Sequence, residues 1–234
     1  MKPEEAASLA ADGDRYHKVN HQGIGTIADP VFRQLEVINR VSPVASVLEI
    51  GCTTGFRLEK AHQKFGARCS GLEISAAAVA EGRSLYPGLD LKQGAAPQDL
   101  RYWEGSSFDV IVVGHLLYLL PREDLFWFAA WVDRLLAVNG HVIINDFIYP
   151  SDTRSPYAHS DQLSVFKGDQ IAPWTWNPQY FLVSREVYEI SIESPTQRDP
   201  VNWQTVDTIR KLSIGQAYQN VAAPHSVHED TGSG

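Results

Sequence analysis

The feature that most narrows the fold is an alternation of short apolar runs with helical patterns between Ala45 and Phe147. The runs are ASVLEI (45–50), RCSGLEI (68–74), a weaker LDLKQ (89–93), FDVIVVG (108–114) and HVIINDF (141–147). FDVIVVG is apolar almost throughout, as a strand covered on both faces must be. Between the runs, Leu58, Ala61 and Phe65 share one side of a segment that stops at Gly66, and Ser75 can cap a second helix reaching Ser84. Leu125, Phe128, Ala129, Val132, Leu135 and Leu136 follow the i, i+3, i+4, i+7 rule, which predicts a helix ended by Asn139-Gly140. Residues 94–107 read as a loop. Strands separated by helices build right-handed βαβ units, so the expectation is an α/β fold with a mostly parallel sheet and helices on both faces.

The flanks are different. Residues 1–42 read as an N-terminal helical cover. It consists of an Ala-rich helix near Glu4–Ala11 and a second helix with apolar residues at 31, 32, 35, 38 and 41, capped by Asp29 and opened by Pro30. Residues 147–178 break the rhythm with four prolines and with Tyr149, Tyr157, His159, Trp174 and Trp176. Such an insertion serves as a lid or substrate wall, or as an irregular packed cover, and the residues leave both open. Stretches near Phe181–Ile192 and Trp203–Leu212 suit an antiparallel pair at the sheet edge. Residues 222–234 have the composition of a disordered tail. The 234 residues suffice for one α/β domain over 1–221.

Composition removes several function classes. Acidic residues outnumber basic ones 28 to 20, for a formal charge of -8, which disfavours a grip on nucleic-acid phosphates. Two cysteines, Cys52 and Cys69, make no disulfide framework, and no Cys/His set has zinc spacing. The apolar stretch Val110–Leu120 is interrupted by Gly114 and His115 and is too short to span a bilayer. The acidic start lacks the basic head of a secretion signal, so the expectation is a cytoplasmic protein. No nucleic-acid or membrane partner is expected, and a homodimer is an assembly the sequence allows.

Two strand ends carry chemistry. The first strand runs into Glu49-Ile50-Gly51-Cys52-Thr53-Thr54-Gly55, a glycine-bearing turn before a helix, which lets a ligand approach backbone N–H groups. The second ends in Gly71-Leu72-Glu73-Ile74-Ser75. A carboxylate at that tip can accept both hydroxyls of a ribose. Each feature alone suits an ordinary turn or a solvated Glu; together they are far more specific.

These residues resemble the class I S-adenosylmethionine-dependent methyltransferases of the small-molecule kind. VLEIGCTTG resembles the family's acidic-x-Gly-x-Gly-x-Gly motif and GLEIS its second motif. Gly94–Leu100 falls where many members have Gly-Asp-Ala-x-x-Leu, and FDVIVVGHLLYLLPREDL and LLAVNGHVIINDF resemble the fourth and fifth strand segments. The resemblance implies a Rossmann-like seven-stranded sheet with an antiparallel last strand, S-adenosyl-L-methionine as cofactor and a small-molecule acceptor methylated on O, N or C. It places Glu49, Gly51, Cys52, Thr53 and Gly55 along the methionine part, Glu73 on the ribose, and Ile74, Ala95 and Ala96 beside adenine. Gly114 and His115 would line the sulfonium side. Tyr16, His17 and His21 precede the first core helix, and their position suits either closure over the cofactor or a mobile surface segment.

Thr53 and Ala95 depart from the pattern. Thr53 stands where a glycine is usual, and Ala95 where an acid would meet the adenine amino group, a task left to a backbone carbonyl, Gln98 or Asp99. A non-catalytic ligand-binding member of the same fold is therefore the alternative. A dinucleotide site is not supported, since Thr53 and Phe56 replace two of the three glycines it requires. His115 is the candidate general base, with Tyr157 and His159 as further candidates. Relatives that use Mg²⁺ place acids after both the fourth and fifth strands; Asn145-Asp146 follows the fifth, but Gly114-His115 offers none, so no metal is expected.

Overall fold

Burial on both faces is what makes the central runs strands. All five residues of β1 (Ser46–Ile50) are buried, and so are five of the seven residues of β4 (Phe108–Gly114). The computed structural model describes residues 3–20, 29–157, 160–189 and 203–220. Chain order is α1 (Pro3–Asn20), α2 (Pro30–Val41), β1, α3 (Phe56–Phe65), β2 (Arg68–Glu73), α4 (Ala76–Leu85), β3 (Asp90–Gln93), β4, α5 (Leu125–Leu135) and β5 (Leu136–Phe147). There follow β6 (Thr153–Tyr157), β7 (Ser160–Lys167), α6 (Ala172–Thr175), β8 (Tyr180–Glu189), β9 (Trp203–Lys211) and α7 (Ile214–Ala217).

The seven-stranded sheet has the order β3-β2-β1-β4-β5-β9-β8, with β6 and β7 as a separate hairpin. Strands β1 to β5 pair in parallel, and β9 runs antiparallel between β5 and β8. Side chains alternate between two apolar layers. Leu48, Ile50, Ile111 and Val113 pack against α5 and Trp174 on one face. Val47, Val110 and Val112 pack against α2 and α3 on the other. Because β1 lies between β2 and β4, the carboxyl ends of these three strands stand side by side, where open α/β sheets bind ligands.

Local signals explain several boundaries. Asp29 caps α2, its Oδ1 accepting from the Val31 and Phe32 N–H groups at 3.0 and 3.1 Å. Ser75 caps α4 through the Ala78 N–H at 3.1 Å. Gly66 closes α3 in the left-handed conformation.

Three expectations are corrected. Helix α1 continues past Ala11 to Asn20, because its polar residues meet the rest of the molecule: Asp14 accepts from the Ser75 hydroxyl, and Ser8 bonds Ser160 at 2.7 Å. Helix α5 stops at Leu135, not at Asn139-Gly140; Leu136 already pairs with Phe108 on β4, and Asn139 takes a left-handed conformation (φ 68°) inside the strand. The 94–107 segment is not all loop: a 3₁₀ turn at Gln98–Trp103 buries Leu100 and Trp103. Within the insertion, 153–167 forms the β6–β7 hairpin and Trp174 enters the core. Residues 190–202 and the 222–234 tail lie outside the described residues. Among the described residues, no helix is long and apolar enough to cross a membrane.

Gly82 shows how tightly α4 is set against the turn after β1. A Cβ at this position would lie 2.3 Å from the Thr54 carbonyl oxygen and 2.8 Å from Leu91 Cδ1. Helix propensity alone would reward Gly82→Ala by about 1 kcal/mol. Backbone cannot retreat as a side-chain tip can, so the clash wins, and chemical denaturation should show a net loss of about 1–3 kcal/mol.

Candidate active site

The three strand ends open into a cavity of about 490 Å³, within the usual range for small-molecule sites. Its floor is Glu49, Gly51 and Thr53 after β1, Glu73 and Ile74 after β2, and Gly114 and His115 after β4. Helix α1 covers it with Leu9, Asp12, Gly13 and His17, and the insertion adds Tyr157.

Glu73 binds two strand ends together. Its Oε2 accepts from the Thr53 N–H and its Oε1 from the Ser75 N–H, both at 2.9 Å. Each carboxylate oxygen has a second lone pair, so both can still accept from a ligand. Burial pushes the Glu73 carboxyl above its ordinary range despite these N–H bonds. The turn between the two tips needs its unusual backbone: Gly51 and Thr53 have φ of 82° and 50°. A Cβ on Gly51 would sit 2.8 Å from the Gly114 carbonyl oxygen. Glycine is required there by conformation and by the approach of β4.

Glu49 is 1 % exposed and lines the same floor. One oxygen pairs with Arg57, whose Nε donates to Asp29 Oδ2 at 2.7 Å. Asp29 thus joins the cap of α2 to the cavity through one partly buried arginine. Glu49 Oε2 and Thr53 Oγ1 are buried with no protein partner among the described residues. Unmatched buried polar atoms are costly, and two on one cavity wall point to a polar ligand. Burial outweighs the Arg57 pairing and pushes the Glu49 carboxyl up to about 7.

The end of the cavity beyond His115 is aromatic. Tyr118 and Phe147 meet edge to face with ring centroids 4.9 Å apart, and Tyr118 and Tyr157 at 6.5 Å. The Tyr157 hydroxyl donates to Asp12 on α1, which latches the hairpin to the cover. His115 follows β4 in a left-handed conformation (φ 48°) and packs on Phe147 at 5.7 Å. Its Nε2 lies 2.9 Å from Gln204 Oε1. Asp146 holds the turn beyond it: Oδ2 accepts from the Leu116, Leu117 and Tyr118 N–H groups at 3.1, 2.7 and 3.3 Å, and Oδ1 from the Phe147 N–H at 2.7 Å.

Of the residues singled out in the sequence, Glu49, Gly51, Thr53, Glu73, Ile74, Ala95, Ala96, Gly114, His115 and Tyr157 come together around this cavity. Two glycine-turn positions, Cys52 and Gly55, are not among the residues lining this cavity. Cys52 turns into the apolar layer, where a Cβ on Gly71 would meet its Sγ at 2.5 Å, and burial pushes its thiol well above the ordinary range. Gly55 has a left-handed backbone (φ 82°), and a Cβ there would meet Leu89 and Leu91 at 3.0 and 3.2 Å, so glycine lets these side chains pack close. Asp99, a candidate partner for adenine, accepts from the Ala95 N–H at 2.9 Å and shapes that wall. Tyr16 lies on α1 with its side chain outside the described residues, as do His21 and His159. Sequence reasoning missed Arg57, Asp12, Tyr118 and Gln204; a lone Arg at the second position of a helix carries no pattern, and the others arrive through tertiary packing. Among the described residues, no group of His, Cys, Asp and Glu is arranged to hold a metal ion.

Residues 47–140 match a family model described as a methyltransferase domain. Among curated proteins, none matches the chain. Similar solved structures include the N-methyltransferase NodS from Bradyrhizobium japonicum WM9 in complex with S-adenosyl-L-homocysteine. It is 16 % identical, with a TM-score of 0.62 over 87 % of this chain and 98 % of that one. The 1,6-didemethyltoxoflavin-N1-methyltransferase of Burkholderia thailandensis, with bound 1,6-didemethyltoxoflavin and S-adenosylhomocysteine, is 15 % identical, with a TM-score of 0.63 over 91 % and 92 %. DesVI of Streptomyces venezuelae is 18 % identical, with a TM-score of 0.53 over 82 % and 96 %. At such identities the likeness is one of fold. Residues 47–140 thus carry the match to a methyltransferase domain, and the mostly parallel seven-stranded sheet agrees with the fold of these structures.

The raised Glu49 carboxyl has a consequence for stability. The folded protein holds this proton up to about pH 7, whereas the unfolded chain releases it near pH 4.5. Native protein therefore binds more protons in that window, and Glu49 lowers stability as pH rises from about 4.5 to about 7. Denaturation of the ligand-free protein across this range should show that decline, and Glu49→Gln should flatten it.

Proposed function

We propose that this chain transfers the methyl group of S-adenosylmethionine to a small-molecule acceptor at oxygen or nitrogen, without a metal. The observation that carries the reading is the joint cradle of Glu49 and Glu73 at adjoining strand ends, opening on an aromatic chamber. Glu73 would hold the ribose hydroxyls, and the unmatched Glu49 Oε2 and Thr53 Oγ1 would take the polar groups of the amino-acid part. Gly94, Ala95 and Ala96 leave a flat wall for adenine beside Ile74.

The cofactor, when bound, supplies a methyl group already activated by a positive sulfur. What remains for the protein is alignment and exclusion of water, worth about 7–11 kcal/mol in well-oriented systems. Helix α1 and Tyr157 cover the cavity, and Tyr118 and Phe147 form a wall suited to a flat, largely apolar acceptor. His115 stands at the chamber floor, where it can receive a proton from an acceptor O–H or N–H. Two of the similar structures bear the name N-methyltransferase, which agrees with a heteroatom acceptor. A metal has no role in this reading: Asp146, the acid near the end of β5, is fully buried, does not line the cavity and is occupied with four backbone N–H groups.

The direct test is incubation with methyl-labelled S-adenosylmethionine and small-molecule extract. Label in an extract component supports the reading, whereas binding without any transfer would make the chain a non-catalytic ligand-binding member of the fold. Glu73→Ala should lose at least about tenfold in cofactor affinity by calorimetry, the equivalent of one strong charged hydrogen bond, with unchanged circular dichroism. Unaltered affinity would remove Glu73 from the site.

A further inference from the structure

A polar chain runs behind His115 through three strands. Gln204 on β9 sits directly across from Phe147 on β5 and from Tyr188 on β8. It is 1 % exposed, yet it borders the cavity. Its Oε1 lies 2.9 Å from His115 Nε2 and 2.8 Å from the Tyr188 hydroxyl. The Tyr188 hydroxyl also lies 2.6 Å from the end of the Asn145 side-chain amide; having one proton, it donates to Gln204 when Asn145 turns its NH₂ group toward the hydroxyl oxygen, and Tyr188 is then anchored to β5. His115 Nδ1 has no hydrogen-bond partner among the described residues.

We infer that Gln204, anchored by Tyr188, is a positioning residue that keeps the proton of neutral His115 on Nε2, leaving Nδ1 as the proton acceptor for the substrate. The chemistry is one of lone pairs. An amide oxygen has two and can accept from the Nε2–H and from the tyrosine hydroxyl together, but it offers nothing to an unprotonated Nε2. With Nε2 committed as a donor, the free lone pair of neutral imidazole is at Nδ1. A proton leaving an acceptor O–H or N–H then bonds to Nδ1, and the resulting imidazolium keeps its Nε2–H on Gln204. Burial makes the arrangement firm, because Gln204 is 1 % exposed and held between His115 and Tyr188. The role in turnover rests on the methyltransferase reading above; the tautomer does not.

The experiment is long-range ¹H–¹⁵N correlation NMR of the full chain at about pH 9, where an ordinary imidazole is neutral. The His115 ring is assigned by comparison with His115→Gln. In the natural protein a single Nε2–H tautomer is expected. Gln204→Leu, which fills the buried site without an acceptor, should lose that single pattern and give a mixture of the two tautomers. Gln204→Glu, which restores an oxygen acceptor at the same reach, should bring it back, and Tyr188→Phe should weaken it with the amide still present. An Nδ1–H tautomer or a mixture in the natural protein would overturn the inference even if no variant folded. So would retention of the single Nε2–H form in folded Gln204→Leu. S-adenosylhomocysteine titrated calorimetrically into the natural protein reports separately: no binding would sink the methyltransferase reading while leaving the tautomer result standing.

Discussion

The Glu73 carboxylate, bonded to the Thr53 and Ser75 N–H groups, is the interaction on which the site depends. It turns two neighbouring strand ends into one cradle. Gly51 and Cys52 also donate to the Leu72 carbonyl on β2, but Glu73 is what fixes the left-handed Thr53 to that strand. The same carboxylate lines the cavity with lone pairs to spare, so in the proposed function structural support and ligand recognition share one group.

A second buried network does similar work on the other side. Arg57 joins Glu49 at the cavity floor to Asp29 at the cap of α2, so the N-terminal cover and the β1 end are coupled electrostatically. Buried ion pairs add little net stability because desolvation offsets their attraction. Their use here is geometric: Glu49 is held with one oxygen satisfied and the other available. Asp146 provides the third anchor, gathering four backbone N–H groups so that His115 and Tyr118 leave β4 at fixed angles.

Much of the frame was legible in the sequence, for physical reasons. Buried parallel strands must be apolar on both faces, and FDVIVVG and HVIINDF show it. Glu49, Gly51 and Glu73 were legible because an acid or a glycine at the tip of an apolar run adds nothing to the apolar packing of the strand. What stayed hidden was tertiary. Leu136 fits a helical stripe as well as a strand, and only pairing with Phe108 decides it. Pro156 and the polar residues of 153–167 mask a hairpin that is held by Tyr157 and Asp12. Cys52 and Gly55 belong to the motif by position, but the alternation of the turn sends them to the core. Gln204 is one polar residue in an edge-pair strand, and nothing in its neighbourhood along the chain announces that it faces His115.

Two carboxylates at adjoining strand ends are thus held ready for one ligand between them. A crystal structure of the full chain with S-adenosylhomocysteine tests this most directly. The expected result has both ribose hydroxyls on Glu73 and the amino group on Glu49 Oε2. Ligand found elsewhere, or bound with neither carboxylate within hydrogen-bonding distance, would contradict it.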